Sequence, residues 1–198
     1  CIRERAVSRM CHTNGRYVQS LVKEETRARV QWCTINTISL TTITHLCNIL
    51  NILKEWENVI KAGDEAALVF PLEPIIYLYS GGGHKHLKAF ETAINHFENG
   101  LSILIDLPIT EARIYSELAE CYRELSKKEK SYEAFEKSLL IDKTPYVMNN
   151  HAYFLASDNQ RLQDALKWST LANEMVMDEP NFMDTHALIL HLLTRNSD

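Results

Sequence analysis

The chain has 198 residues, the length of one ordinary domain or one elongated array of repeats. Apolar residues make up 45% and charged residues 24%, which is typical of a folded protein and excludes a chain that is disordered throughout. The net charge of −5 gives no overall reason to expect binding to nucleic acid or to an anionic membrane.

The first 39 residues differ from the rest in charge. They hold seven Lys and Arg against three acids, or +4, which leaves −9 on the other 159 residues. Val18, Leu21, Val22 and Trp32 lie near one helical stripe, so we expect a helix over 16–33 that caps the next part of the chain. The alternatives are a partly disordered segment and a basic tail that contacts anionic surfaces.

The same region bears on localisation. It has no apolar signal-peptide core, and Cys1 is compatible with a lipidated N-terminus, in which case the protein would be a lipoprotein. Residues 34–53 have the length of a membrane span, but His45, Asn48 and Asn51 make it a poor one. We expect a soluble protein without a transmembrane segment, in the cytoplasm or the cell envelope.

The cysteines do not form a recognisable framework. They are odd in number, widely spaced and without a C-x-x-C pair, at Cys1, Cys11, Cys33, Cys47 and Cys121. This spacing argues against both a set of disulfides and a zinc module, so we expect ordinary reduced thiols.

Helical periodicity is strong from residue 112 onward. Tyr115, Leu118 and Tyr122 share one helical face, and after the polar turn "SKKEK" a second helix carries Phe135 and Leu139. The next stretch again has a helix, a polar turn at "SDNQR" and a second helix. The pattern predicts helical hairpins in tandem, an arrangement typical of proteins built from sequence repeats.

The unit over 112–144 contains Tyr115-x-x-Leu118-Ala119-x-x-Tyr122 followed by Ser131-x-x-x-Phe135, and it resembles the tetratricopeptide repeat (TPR). Residues 74–107 and 145–179 repeat this pattern, 40–73 repeats it more loosely, and a last half-unit ends near 193. The small residue of the first helix falls at positions 47, 81, 119, 152 and 187, with separations of 34, 38, 33 and 35 against a repeat length of about 34. In detail the chain looks most like the tandem-TPR proteins of Bacteroidetes.

The resemblance implies an all-α fold, a right-handed superhelical solenoid of antiparallel helix hairpins. The array would occupy 40–193 as about four hairpins and a terminal half-repeat, after a basic segment at 1–39 and before a tail at 194–198. Small residues would let the two helices of a hairpin approach while aromatic residues fill the seam to the next hairpin. The packing residues expected on this basis are Gly81, Ala93, Phe97, Leu118, Ala119, Tyr122, Phe135, Ala152, Ala165, Ala172 and Ala187.

The stretch "SGGGHKH" at 80–86 admits two interpretations. A glycine cluster after an apolar run is seen in phosphate-binding loops, but the string lacks the Gly-Lys-Ser/Thr signature. In the repeat frame, Gly81 fills the small position of a first helix. Since glycine costs about 1 kcal/mol against Ala inside a helix, we expect a frayed or kinked helix at 80–86 and the weakest hairpin there.

No catalytic or metal-binding motif is recognisable. His84 and His86 are about 200° apart on a helix and cannot share an ion, whereas His151 and His186 precede small positions and are expected in buried seams. No H-E-x-x-H, G-x-S-x-G, kinase or Walker signature occurs. The sequence therefore predicts a protein that is not an enzyme and has neither a metal nor another cofactor.

In the resembled family the first helices line a concave groove that often holds extended peptides. Carried over, the groove would display these polar and aromatic residues: Arg113, Ser116, Glu117, Glu120, Arg123, Tyr146, Asn149, Asn150 and Tyr153. A solvated face without a ligand is the alternative. Since Glu117 occupies the position that Asn150 fills one unit later, we do not expect a clamp for a chaperone's carboxylate tail.

These points together predict a non-enzymatic scaffold or adaptor with a protein or peptide partner and no nucleic acid. The alternative from another class is a regulatory or carrier subunit of a cell-envelope enzyme or transport complex. Neither the partner nor the oligomeric state follows from the sequence.

Overall fold

A computed structural model of the chain describes residues 39–195, which form helices joined by short turns. The segment 1–38, with the helix expected over 16–33, and the last three residues lie outside the described part. In chain order the helices are α1 (Leu40–Ile52), α2 (Trp56–Val69), α3 (Pro74–His86), α4 (Phe90–Ser102), α5 (Pro108–Glu124), α6 (Lys128–Ile141), α7 (Pro145–Ser157), α8 (Leu162–Met175) and α9 (Pro180–Arg195).

Proline marks the start of the first helix in most hairpins. α3, α5, α7 and α9 each begin at a proline, which lacks the N–H that a first helical residue leaves unpaired and has a φ angle suited to the helix. Ser39 and Thr144 cap α1 and α7, where their hydroxyl oxygens accept from the backbone N–H of Thr42 at 3.2 Å and of Val147 at 3.4 Å.

The turn inside each hairpin repeats one backbone conformation. Lys54, Lys88, Ser126 and Asn159 follow the first helices and have φ angles of 58°, 61°, 57° and 51°. These values lie in the left-handed region, which is unfavourable for residues with a side chain. None of the four turns uses glycine at this position.

The hairpins stack in sequence. Each helix packs on the next, and first helices also pack on first helices at α1–α3, α3–α5 and α7–α9. The described residues contain no strand, so the expected all-α solenoid of antiparallel hairpins is confirmed. The junction between α6 and α7 is less extensive than the junctions α2–α3, α4–α5 and α8–α9.

Small residues and phenylalanines form the seams of the array. Gly81, Ala93, Phe97, Leu118, Ala119, Phe135, Ala152, Ala165 and Ala172 are buried, and Tyr122 is half-buried. Serine fills two further tight positions: the hydroxyls of Ser131 and Ser138 donate to the carbonyls of Ala119 and Ala112, both at 2.8 Å. These bonds tie α6 to α5.

Ala187 is a correction to the expected packing set. It is exposed on α9, whereas the small residues at 47, 81, 119 and 152 are buried. In the earlier hairpins that position faces the second helix of the same hairpin, and no described helix follows α9 to cover it.

The fraying expected at 80–86 is also wrong. α3 is helical from Pro74 to His86, and no described glycine has a positive φ. A Cβ on Gly81 would lie 2.5 Å from Cε1 of Phe97, and one on Gly83 would lie 2.7 Å from Cγ1 of Ile60. The glycines therefore allow close packing against neighbouring helices, and this packing holds the helix together despite their low propensity.

No helix in residues 39–195 combines the length and the apolar character needed to cross a membrane.

Candidate partner-binding surface

A partly buried lysine that the sequence pattern did not reveal joins the first helices α3 and α5. Lys85 of α3 has a side chain that is 14% exposed, and its Nζ lies 2.6 Å from Glu117 Oε2 and 2.5 Å from Glu120 Oε2 of α5. Burial opposes the charge of Lys85, but the two carboxylates outweigh it and raise the pKa of the amine above its usual range. Asn150 of α7 continues the chain of contacts, because its Nδ2 donates to Glu120 Oε1 at 3.1 Å.

Two residues expected in the groove are therefore already paired. Glu117 and Glu120 share one ammonium group, so each is paired within the array, although the three groups together keep one negative charge. The signal in the sequence was weak, since Lys85 lies more than thirty residues before its partners and inside the glycine-rich stretch. Arg113 of α5, by contrast, is exposed, and Ser116 donates to its backbone carbonyl at 2.9 Å.

Arg123 belongs to a different cluster, the junction between the third and fourth hairpins. Its guanidinium donates to Asp158, just after α7, and lies over the ring of Phe154 at 5.0 Å. Asp158 also accepts from the hydroxyl of Tyr132 and pairs with Lys128 at 2.5 Å. We call Arg123, Lys128, Tyr132 and Asp158 the Asp158 cluster.

The contacts within the Asp158 cluster shift the pKa values of Asp158 and Tyr132. Burial works against ionisation of Asp158, but the bonds from Arg123, Lys128 and Tyr132 outweigh it and hold the pKa of the carboxyl well below its usual range. Burial and the bonded carboxylate raise the pKa of Tyr132 to about 12. Arg123 thus stabilises the array rather than facing an open surface.

The remaining expected residues line a cleft between α7 and α9. Its volume is about 450 Å³, and its walls are formed by Tyr146, Asn149, Asn150, Tyr153, Asn181, Phe182, Asp184, Thr185 and Leu188. The structure therefore brings together Tyr146, Asn149, Asn150 and Tyr153, which the repeat pattern had selected. It places Arg113, Glu117, Glu120 and Arg123 elsewhere.

The α9 wall was missed, although the repeat frame contained the signal. Asp184, Thr185 and Leu188 lie 35 positions after Asn149, Asn150 and Tyr153, which is the offset between the small residues at 152 and 187. The same frame applied to the last half-unit would have selected them.

Polar groups in the cleft include both donors and acceptors. Asn150 and Asn181 each use one Nδ2 donor internally, on Glu120 and on Glu179, which leaves one N–H and the Oδ1 acceptor of each amide for a partner. The Thr185 hydroxyl donates to the Asn181 carbonyl at 2.9 Å. Asn149 is 7% exposed, and its buried Oδ1 has no hydrogen-bond partner in the described part of the chain.

Two tyrosines give the cleft its aromatic surface. Tyr146 and Tyr153 are 61% and 45% exposed, and Tyr146 packs edge-on against the buried ring of Phe182 with centroids 5.2 Å apart. A rigid aromatic side chain that is held in place and still exposed offers contact area at little cost in conformational entropy.

The histidines expected to be structural lie in stacked or buried environments. His84 stacks on His96 at 4.9 Å and His86 on Trp56 at 3.9 Å, while His151 is fully buried against Phe135. Burial lowers the pKa of His151 to about 4. Within residues 39–195, no group of three or more His, Cys, Asp or Glu side chains is placed to hold a metal ion.

Comparison with known proteins identifies the fold of the chain but no close relative. No family model and no curated protein matches the sequence. Among solved structures, TTC0263, a thermophilic TPR protein of Thermus thermophilus, has a TM-score of 0.70 at 15% identity, over 88% of this chain and 93% of that one.

Two further structures agree with this result. MamA of Desulfovibrio magneticus RS-1, residues 41 to the end, has a TM-score of 0.65 at 17% identity over 88% of this chain and 95% of its own. YrrB, described as a TPR protein with an unusual peptide-binding site, has a TM-score of 0.61 at 15% identity, over 85% of this chain and 90% of its own. At these identities the likeness establishes architecture, and the chain has the fold of the tetratricopeptide-repeat proteins.

Proposed function

We propose that this protein is a non-enzymatic scaffold that binds an extended peptide segment of a partner protein in the cleft between α7 and α9. The observation that carries the proposal is the cleft itself: it has a volume of about 450 Å³, two exposed tyrosines and the amide groups of Asn150 and Asn181 on its walls. Tyrosine is enriched among the residues that dominate binding energy at protein interfaces.

The side chains of the cleft indicate the chemistry of the partner. The amides of Asn150 and Asn181 can pair with the N–H and C=O groups of a peptide backbone, and the carboxylate of Asp184 can pair with a basic side chain. Asp184 adds a negative charge to this wall of the cleft. We therefore expect a peptide with a Lys or Arg that reaches Asp184.

A direct test is selection from a random peptide library displayed on phage, with the purified chain as bait. Binding of the selected peptides is then measured by calorimetry against Tyr153→Ala, Asp184→Asn and the double variant Arg113→Glu/Tyr153→Ala. Asn95→Ala and Leu140→Ala are the controls, because both residues are exposed on second helices outside the cleft.

We expect Tyr153→Ala to weaken binding by about tenfold or more, the effect of losing an interface hot spot. Asp184→Asn should weaken peptides that contain Lys or Arg and leave neutral ones unchanged, and the controls should bind like the native chain. If the selected peptides bind all variants equally, the cleft is not the binding surface. Catalytic turnover of a selected peptide would instead contradict the non-enzymatic role.

A further inference from the structure

Two corners of the array carry exposed apolar side chains away from the cleft. Because hairpin helices are antiparallel, the second helices end on the edge where the first helices begin, so the connections α2–α3 and α4–α5 both lie on this edge. The exposed large apolar residues there, which we call the apolar corners, are Leu68, Val69, Leu72, Ile105, Leu107 and Ile109. Leu68 is 86% exposed and Leu72 is 74% exposed, so the described part of the chain leaves most of their surface uncovered.

The charge around the apolar corners is mainly negative, with the exposed Arg113, one turn after Ile109, as an exception. Residues 62–83 contain three acids and no Lys or Arg, and residues 89–112 contain four acids and no Lys or Arg. Acidic groups beside apolar ones disfavour an anionic lipid surface, whose own charge would be repelled. They favour an amphipathic partner with a positive charge.

The chain itself supplies such a partner. Segment 16–33 carries four Lys and Arg against two Glu, together with Val18, Leu21, Val22 and Trp32 at helical spacing. Its apolar residues lie at the two ends of a helical stripe whose middle holds Glu25 and Arg29, so they match two separate apolar corners, and its net positive charge matches the acids there.

The described array also begins at this edge, where the segment is attached to it. Ser39 caps the start of α1, and Leu40 packs in the same hydrophobic cluster as Phe70, which follows α2. Residues 34–38 therefore join the array beside the α2–α3 corner, and five residues span at most about 18 Å. An 18-residue helix is about 27 Å long, enough to cover both corners across two helix spacings of about 10 Å each.

From its sequence, this segment is expected to cap the end of the array, but the exposed face of α1 at that end is less suitable than the apolar corners. The exposed stripe of α1 begins with Thr41, His45 and Asn48, which are polar. Leucine, valine and tryptophan side chains would bury little apolar area against them.

We propose that residues 16–33 dock in cis on the apolar corners of the same chain. The test uses hydrogen exchange read by mass spectrometry on the full chain and on Leu68→Lys/Leu72→Lys, which removes two apolar contacts and adds positive charge. Ile52→Lys is the matched control, because Ile52 is 80% exposed and ends α1 at the opposite edge. All three substituted side chains are on the surface, and circular dichroism checks that the variants remain folded.

We expect peptides from 16–33 to exchange at least about tenfold more slowly than an unstructured chain, with the protection lost in Leu68→Lys/Leu72→Lys and kept in Ile52→Lys. A photo-crosslinking amino acid at position 72 should join the segment within one chain, and the same residue at position 52 should not. An unprotected segment, or equal protection in both variants, overturns the proposal. Crosslinks between isotopically heavy and light chains would overturn docking in cis and assign the corners to a second copy.

Discussion

Replacing Asp158 by Asn should loosen the array at the junction between the third and fourth hairpins. The Asp158 side chain is 5% exposed and is the common acceptor for Arg123, Lys128 and Tyr132. This junction has the less extensive helix packing, so polar contacts carry a larger share of its stability than elsewhere. The substitution keeps the size of the side chain and removes its charge.

The magnitude follows from how exposed each donor is. Breaking a buried ion pair costs about 3–5 kcal/mol, but Lys128 is 48% exposed, and its contact contributes at most about 1 kcal/mol. Arg123 and Tyr132 recover part of their hydrogen bonding from water and from the Asn amide. We therefore expect a loss of about 2–3 kcal/mol in the free energy of unfolding, or roughly 5–10 °C in Tm for an array of this length.

The assay is urea unfolding followed by circular dichroism, with Asp164→Asn as the control. Asp164 also pairs with an arginine, Arg161 at 2.8 Å, but it is 49% exposed, so its loss should change the free energy by less than about 0.5 kcal/mol. An Asp158→Asn chain that unfolds like the native one, or a control that costs as much, would refute the reasoning.

The effect also has a pH dependence. Because the folded-state pKa of Asp158 lies below its unfolded value of about 3.9, the stabilisation is complete above that value and declines as the pH falls further. The difference between native chain and variant should thus stay constant from pH 7 to pH 5 and shrink below pH 4.

Three further predictions concern the interior. Gly82→Ala should stabilise the protein by about 0.5–1 kcal/mol, because nothing lies within 4 Å of the added methyl group. Gly81→Ala should destabilise it by about 1–3 kcal/mol, because the methyl group would collide with the ring of Phe97. Thermal unfolding of the two variants distinguishes these outcomes. His151→Leu should gain stability relative to the native chain as the pH falls from 6.5 to 4, since the buried imidazole resists protonation that the unfolded chain accepts; urea titrations at both pH values measure the difference. Cys47 and Cys121, whose pKa values burial raises to about 12, should not react with iodoacetamide until the array unfolds, and peptide mapping of the alkylated sites would detect any earlier reaction.

The sequence was sufficient for the architecture because each hairpin repeats the same packing rule. Ala119 and Ala152 are both small because two helices approach each other closely at each position. A requirement that recurs at a fixed spacing can be recognised from the sequence alone. The glycines show the limit of this approach. Helix propensity alone predicts a weak helix at Gly81. The close contact with the ring of Phe97, which requires a glycine there, becomes apparent only in the folded hairpin.

The surface was harder to predict, for a related physical reason. Glu117 and Arg123 have the character of partner-binding residues, but they form ion pairs with Lys85 and Asp158 of neighbouring hairpins, about 35 residues away. Charge compensation between units leaves no periodic mark in the sequence. That Tyr153 and Asn150 line one surface was easier to predict. A tyrosine carries no charge to be compensated, and an amide can form more than one hydrogen bond.

Glycine is absent from the left-handed turns within residues 39–195, where its conformational freedom would be most useful. Lys54, Lys88 and Ser126 adopt φ angles near 60°, a conformation that costs a residue with a side chain roughly 1 kcal/mol relative to glycine. The three positions lie in separate hairpins, and the backbone N–H of each bonds to the end of its own first helix, so the effects of replacing them by glycine should add. An engineer could therefore raise the stability of this array in equal, independent increments, turn by turn, without altering either the cleft or the seams.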